Sequence, residues 1–288
     1  MYGYFTERNY KGDLPYTDLA CERRTADPDI AGVEYKREKA IGGCWERIKI
    51  TSREGADAIG RPMGIYDTLE VGRMDLMDEE AIADAADEIA RELCYIFDAT
   101  DIFPQRILVA GLGNPDLTPD ALGCESAKIV KPTLHIRDFD RKLFDSLNCA
   151  EIAVCTPGVA ATSGMDAAIT IRGLCQALGP DAVIVVDALA SRSSARLGTT
   201  IQICNTGVSP GSGLGNPRSP ISKDTVGVPV IAVGVPTVID SRTFCGNCVI
   251  DSSSPRPMFV SPKEINDIVS AAAQVIGGGI NQAFGIFI

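Results

Sequence analysis

ILVAGLGNPDLTPDALG (residues 107–123) and AVIVVDALASRS (residues 182–193) are the stretches that decide the fold of this chain. Each begins with an apolar run typical of a buried strand and continues into a loop of small or polar residues. In α/β proteins such loops lie at the carboxyl edge of the sheet, where ligands bind. We therefore expect Asp120 and Asp187 to meet at that edge, as a pair of carboxyls able to carry out acid/base chemistry.

The segments around these two stretches alternate between strand-like and helical patterns. Further strands are predicted at residues 152–154, 201–203 and 230–233, and helices over residues 77–97 and 165–178. This alternation predicts an α/β protein with three layers, α/β/α, around a largely parallel or mixed central sheet. The glycine- and proline-rich stretch 207–220 is predicted to form a long loop beside the sheet edge.

Two helix starts carry recognisable capping signals. Thr118 followed by Pro119 predicts an N-cap and a first helical position, which would place Asp120 in the first turn of a helix. Ser261 to Glu264 reads as a capping box that opens a final helix. The predicted buried stripe of that final helix is Ile265, Ile268, Val269, Ala272 and Ile276.

The first 30 residues are polar and lack a sustained period, so we interpret them as an extended arm or a removable leader with a small contribution to the core. We assign residues 1–16 as the leader and residues 17–288 as a single α/β domain. The start of the chain lacks the layout of a secretory signal, and no apolar run is long enough to span a bilayer. These features predict a cytoplasmic protein with no membrane partner.

Composition excludes several other classes of function. The net charge of −11 gives a surface that repels phosphates, so we predict no direct binding to nucleic acid. The 10 cysteines are scattered, which is typical of reduced, mostly buried thiols. One pair, Cys245 and Cys248, forms a CxxC motif, but the chain has a single histidine and a closed zinc site needs four ligands. We interpret the pair as two thiols in a turn, with a labile disulfide as the alternative, and predict neither a metal nor a cofactor.

The two aspartates differ in their expected environments. A helix start with free N–H groups favours the charged form of Asp120, which suits a base. Asp187 follows five apolar residues, and burial near another carboxylate would raise its pKa and make it the proton donor. Either residue alone is equally well explained as a helix cap or a turn residue.

Other catalytic motifs fit less well. The loop at residues 111–116 ends in Asp116, where a dinucleotide fingerprint requires a third glycine. A serine triad would need His135, which lies in a segment without a serine motif and is better explained as a structural hydrogen-bonding residue. Three arginines, Arg192, Arg196 and Arg218, are expected to orient the carboxylates or to bind an acidic substrate.

The same residues carry a resemblance to a known family. LTPDALG (117–123), PGVAATSGMDAA (157–168) and the long run at 186–240 that begins VDALASRSSARLGTT closely resemble the germination protease family of spore-forming bacteria. The resemblance extends to YTDLACE (16–22), GADAIGRPMGIYDTLEV (55–71) and MFVSPKEIND (258–267), so it covers most of the chain. The stretch between Asp240 and Met258 is shorter than is usual in that family, and the leader before Tyr16 lacks a substrate-like cleavage motif.

The resemblance implies an aspartic-type endopeptidase, made as a zymogen and assembled as a homotetramer, on a fold shared with hydrogenase maturation proteases. Its substrates would be small acid-soluble spore proteins, degraded at germination in the spore core. In the family, the catalytic aspartates belong to the TPDALG and DALASR motifs, here Asp120 and Asp187. Self-processing near residues 7–18 is a further hypothesis.

We predict that Asp120 acts as base and Asp187 as acid, although the roles could be exchanged. The residues expected to bind or support the substrate are Asn114, Ser191, Arg192, Gly211, Ser212, Gly213 and Asn216. Two alternatives stay open: a maturation-type peptidase that recognises a metal through His135, and a catalytically silent homologue that binds spore proteins.

Overall fold

A nine-stranded mixed sheet forms the centre of the protein in the computed structural model, which describes residues 17–24, 30–211, 218–241 and 258–286. The strands are β1 (Val33–Ala40), β2 (Gly43–Ile50), β3 (Gly64–Glu70), β4 (Arg106–Gly111), β5 (Glu151–Cys155), β6 (Ala182–Ser191), β7 (Thr200–Cys204), β8 (Val230–Asp240) and β9 (Phe259–Val260). The α-helices within the described ranges are α1 (Arg53–Ile59), α2 (Glu79–Ala99), α3 (Leu122–Ile129), α4 (Leu134–Phe139), α5 (Arg141–Leu147), α6 (Ala160–Ser163), α7 (Ala167–Leu178), α8 (Lys223–Val226) and α9 (Ile265–Ala283).

The sheet has a parallel half and an antiparallel half. Strands follow the order β1-β2-β3-β7-β8-β6-β4-β5, with β9 paired to β8. The neighbours β5, β4, β6 and β8 run parallel, whereas β8, β7, β3, β2 and β1 pair antiparallel in turn. Because β4, β6 and β8 run in one direction, their carboxyl ends meet at one edge of the sheet.

Helices cover both faces of the parallel half. On one face α2, α3 and α9 pack together over a core that includes Ile107, Val109, Ile184 and Val233. On the other face α7 and α8 cover a second core around Leu108 and the strand residues beside it. These layers confirm the predicted α/β class, with helices on both sides of a mixed sheet.

Residues 17–24 cover part of the antiparallel half. The side chains of Leu19 and Ala20 are completely buried, and Ala20 packs in a cluster with Ile48, Ile59 and Tyr66. The expectation that the first 30 residues contribute little to the core is therefore wrong for this segment. The segment is held in the core by hydrogen bonds to residues far away in the sequence. The N–H of Ala20 donates to Oε1 of Gln202 in β7, 182 residues away, over 2.8 Å. Residues 1–16, predicted as the leader, lie outside the described residues.

Most predicted elements occur, with two corrections at helix starts. The helix predicted over residues 77–97 is α2, capped by the Asp78 side chain on the N–H of Ala81. Thr118 and Asp120 lie in a 3₁₀ turn, in which the N–H of Ala121 donates to the carbonyl oxygen of Thr118 at 3.1 Å, and α3 begins only at Leu122. The final helix begins at Ile265, so Ser261 to Glu264 precede it and form no capping box.

Among the described residues, no helix is both long enough and apolar enough to cross a membrane.

A close backbone contact fixes α3 against β6 at the carboxyl edge. A Cβ at Gly123 would lie 2.3 Å from the carbonyl oxygen of Val186 and 2.4 Å from the backbone N of Leu112. That N–H donates to the same Val186 oxygen over 2.8 Å, so the three backbones pack together without room for a side chain. Glycine at this position is therefore required by space.

The substitution Gly123→Ala is expected to destabilise the protein by about 1–3 kcal/mol or more, because the clash is with backbone that has no free space to move into. The matched control is Gly173→Ala in α7, where a Cβ meets no atom within 4 Å. There, the better helix propensity of alanine should stabilise by about 0.5–1 kcal/mol. Urea unfolding followed by circular dichroism measures both, and equal stability of the two variants would contradict the packing argument.

Candidate active site at the carboxyl edge of the sheet

Asp187 lies within β6 rather than in the loop after it. The five residues before it, from Ala182 to Val186, are all fully buried, and Asp187 itself is 7% exposed. Its Oδ1 accepts a hydrogen bond from the N–H of Ala188 at 3.0 Å. The strand therefore carries a carboxyl into the interior directly beyond the end of β4, whose last residue, Gly111, pairs with Val186.

Asp120 is held by the 3₁₀ turn that precedes α3. The N–H of Asn114 donates to its Oδ2 at 2.9 Å, and the same N–H lies 3.1 Å from the carbonyl oxygen of Asp120. From the neighbouring strand β8, the buried Thr237 donates its hydroxyl to the carbonyl oxygen of Pro119 at 2.6 Å. Gly113 has a φ of +101°, and a Cβ there would lie 1.8 Å from the Asp120 carbonyl oxygen. The turn is thus fixed from both sides.

A cleft of about 370 Å³ opens at this edge of the sheet. Its lining includes both predicted catalytic residues, Asp120 and Asp187, together with Arg218 and a third carboxyl, Asp18. A second cavity of about 390 Å³ lies beside it and shares Asp18, Asp187 and Leu189 with the cleft. Asp187 and Asp18 therefore line both the cleft and the second cavity.

The protonation of the pair is set mainly by burial. Burial raises the pKa of Asp187 well above its usual range, and the charges of Asp120 and Asp18 raise it further. Burial also raises the pKa of Asp120, partly offset by the N–H of Asn114 and the charge of Arg218. The expectation that the helix start lowers the pKa of Asp120 is wrong in direction, because desolvation in the cleft outweighs these contacts. The predicted order, with Asp187 holding its proton more strongly, agrees with these shifts.

The predicted supporting residues fall into three groups. Gly211 lines the cleft, and Asn114 positions Asp120 through its backbone N–H. Ser212, Gly213 and Asn216 lie outside the described residues. Ser191 is completely buried, and its hydroxyl donates to the Ser193 carbonyl oxygen at 2.7 Å and lies 2.9 Å from Oε1 of Glu22.

Glu22 organises the loop that leaves β6. Its carboxylate accepts the backbone N–H of Arg192 at 2.6 Å and that of Ser193 at 2.9 Å. The guanidinium of Arg192 also donates to the carbonyl oxygen of Glu22 at 3.3 Å. Ser191 and Arg192 are thus tied to the segment at residues 17–24, and their predicted role toward the substrate stays a prediction.

Sequence reasoning missed three residues that line the cleft or brace the loop beside it: Asp18, Glu22 and Thr237. The first two lie in YTDLACE, one of the stretches that carries the family resemblance, and that was the available signal. No sequence pattern pointed to Thr237, since it acts through a hydrogen bond to the carbonyl oxygen of Pro119, 118 residues away in the sequence.

The other sequence candidates lie elsewhere. His135 is exposed on α4, and Arg196 pairs with Glu46 at 2.9 Å, so neither is among the residues that line the cleft. Within the ranges that the structure describes, no group of three His, Cys, Asp or Glu side chains is arranged to hold a metal ion. Cys245 and Cys248 lie outside those ranges.

Comparison with known proteins gives a consistent result. A family model described as germination protease matches residues 16–252. A germination protease from Caldanaerobacter subterraneus subsp. tengcongensis is 35% identical, over 93% of each chain. A germination protease from Clostridium acetobutylicum is 32% identical over 92% of this chain and 91% of its own. The germination protease of Bacillus subtilis is 36% identical over 81% of this chain and 65% of its own.

Among solved structures, a [NiFe] hydrogenase maturation protease from Thermococcus kodakarensis matches with a TM-score of 0.36 and 16% identity. The match covers 64% of this chain and 99% of that protein.

The raised pKa of Asp187 predicts a pH dependence of stability. Unfolding returns this carboxyl to a pKa near 3.9, so between that value and its higher folded pKa the folded state holds a proton that the unfolded state lacks. Stability contributed by Asp187 is therefore fully present below about pH 4 and falls as the pH rises. Relative to wild type, Asp187→Asn should gain stability steadily from pH 4 upward.

Urea unfolding of wild type and variant at a series of pH values measures this gap. Asp120→Asn is the comparison, for which the gap should widen with the same sign but less strongly. A gap for Asp187→Asn that stays constant with pH would show that its carboxyl is not protonated by burial.

Proposed function

This chain belongs to the germination protease family, and from that premise we propose that it is an aspartic-type endopeptidase that begins the degradation of small acid-soluble spore proteins at germination. Family membership supports the protease activity and the substrate class. The observation that carries the mechanism is the joint presence of Asp120 and Asp187 in one cleft, with Asp187 buried and influenced by the charge of Asp120.

Asp120 is assigned as the base. Its carboxylate takes a proton from a water molecule as the water oxygen bonds to the carbonyl carbon of the scissile peptide. The N–H of Asn114 and the positive charge of Arg218 both favour the charged form of Asp120. The fixed 3₁₀ turn keeps its oxygens in place, which lowers the cost of orienting the water.

Asp187 is assigned as the acid. It gives its proton to the carbonyl oxygen as the tetrahedral intermediate forms. When the C–N bond then breaks, the leaving nitrogen takes the proton from Asp120, and Asp187 recovers a proton from a hydroxyl of the intermediate. One water is consumed, and both carboxyls return to their starting states. Burial supports this assignment because it keeps the proton on Asp187 in the resting enzyme.

We extend the proposal to the remaining predictions that family membership supports. Residues 17–288 act as one peptidase domain, preceded by a leader at residues 1–16 that is removed from a zymogen. The protein assembles as a homotetramer and acts in the cytoplasm of the forespore and spore core. The stretch at residues 207–220, with Arg192, is assigned to the binding of the substrate chain. The support from the structure is the place of Gly211 in the lining of the cleft.

The substitutions Asp120→Asn and Asp187→Asn should each lower the rate of cleavage by about 10²–10⁴-fold, since each removes one proton-transfer group while keeping the shape of the side chain. The assay follows the loss of a purified small acid-soluble spore protein by gel electrophoresis, after circular dichroism has shown that the variant folds.

The matched control is Asp116→Asn, which changes an exposed aspartate in the same loop as Asp120. It should cleave at a rate close to that of wild type. Full activity in Asp120→Asn or in Asp187→Asn would remove that residue from the mechanism.

A further inference from the structure

Asp18 is a third carboxyl at the catalytic pair that the two-aspartate mechanism does not use. It lines the cleft with Asp120 and Asp187, and it also lines the adjacent cavity with Asp187. Its side chain is only 15% exposed, and its Oδ1 lies 3.6 Å from Nη2 of Arg61. A carboxylate at this depth influences its neighbours strongly, because little water is present to screen its charge.

Asp18 is locked to the strand that carries Asp187. Its backbone N–H donates to the carbonyl oxygen of Ala190 at 2.9 Å, and its Oδ2 accepts the N–H of Ala190 at 2.9 Å. Ala190 lies three positions after Asp187, where the pairing of β6 with β8 shifts its register. From β7, the side-chain amide of Gln202 donates to the carbonyl oxygen of Asp18 at 3.1 Å. The position of the carboxyl relative to Asp187 is thus fixed by the backbone of Ala190 on one side and by the side chain of Gln202 on the other.

We propose that Asp18 is a positioning residue of the active site, whose fixed negative charge keeps the proton of the resting enzyme on Asp187. This inference rests on the proposed function, in which Asp187 is the proton donor. It assigns to the segment at residues 17–24 a part in catalysis as well as in folding.

The charges around Asp187 support this role. Those that favour its protonated form are Asp120, from the 3₁₀ turn, and Asp18, from the N-terminal segment. Arg218 acts in the opposite direction. The thiol of Cys124 in α3 is close enough to respond to both Asp120 and Asp187, and burial together with these charges raises its pKa. Removing the charge of Asp18 therefore leaves Asp187 with one anion fewer and makes it a stronger acid.

The experiment is the pH profile of kcat/KM for Asp18→Asn on the purified spore-protein substrate. Asparagine can still accept the N–H of Ala190 through Oδ1, so the variant removes the charge and keeps the contact. Because activity is lost as the proton leaves Asp187, the alkaline limb should move to lower pH by about one unit. Asp224→Asn is the control: it is exposed on the rim of the second cavity, and its profile should match that of wild type.

A second variant removes a positive charge beside Asp18, so the expected shift of the alkaline limb is in the opposite direction. Arg61→Gln removes the cation beside Asp18. The carbonyl oxygen of Thr17, to which Nη2 of Arg61 donates at 2.9 Å, still accepts from Nε and Nη2 of Arg23 at 3.3 and 3.1 Å. Its alkaline limb should move to higher pH. If Asp18→Asn fails to fold, this variant decides alone: an upward shift supports the proposal and an unmoved limb overturns it.

The remaining outcomes separate this inference from the mechanism on which it rests. An Asp18→Asn enzyme with an unmoved alkaline limb, or with the same loss of activity at every pH, overturns the role of Asp18 while Asp187→Asn stays inactive. Full activity of Asp187→Asn instead overturns the proposed mechanism itself.

Discussion

The burial of one carboxyl inside a β-strand is the constraint on which this active site depends. Asp187 follows five fully buried apolar residues, and it is itself almost fully buried. A charged carboxylate in such a place is costly unless it is paired, and burial therefore raises the pKa of this side chain well above its usual range. The same residues that build the core therefore prepare the group that we propose as proton donor. The burial that opposes the ionisation of Asp187 is also the property that the proposed reaction uses.

The second carboxyl, that of Asp120, is positioned by a turn and not by a strand. Asp120 lies in a short turn that is too small to order itself, and it is fixed by the backbone of Asn114 on one side and by Thr237 of β8 on the other. The parallel half of the sheet supplies the common edge, because β4 ends beside Val186 while β6 and β8 continue past it as a pair. Two aspartates 67 positions apart in the sequence are thereby brought into one cleft, one by a strand and the other by a turn.

Sequence patterns predicted the parts of this structure that depend on local physics. The helix α2 follows from the spacing of its apolar residues, and β4 and β6 follow from continuous apolar runs. In the antiparallel half, β7 was predicted, over residues 201–203, but β1, β2 and β3 were not. The edge strand β1, VEYKREKA, is mostly exposed, so its pattern lacks the alternation of a half-buried strand. Asp18 and Glu22 were missed for another reason: in a short polar segment, local sequence does not show that the partners are residues 190–193.

The contacts of residues 17–24 set an order for folding during synthesis. This segment leaves the ribosome early, but the partner of Ala20 lies 182 residues later and the partners of Glu22 about 170 residues later. At a translation rate of about 5–20 residues per second, roughly 10–40 s pass before Gln202 can be reached. Contacts of such long range also slow the final assembly. The nascent chain therefore forms β4, β5 and the helices between them while the segment at residues 17–24 is still undocked, and Asp18 reaches its place beside β6 only after Gln202 has been made.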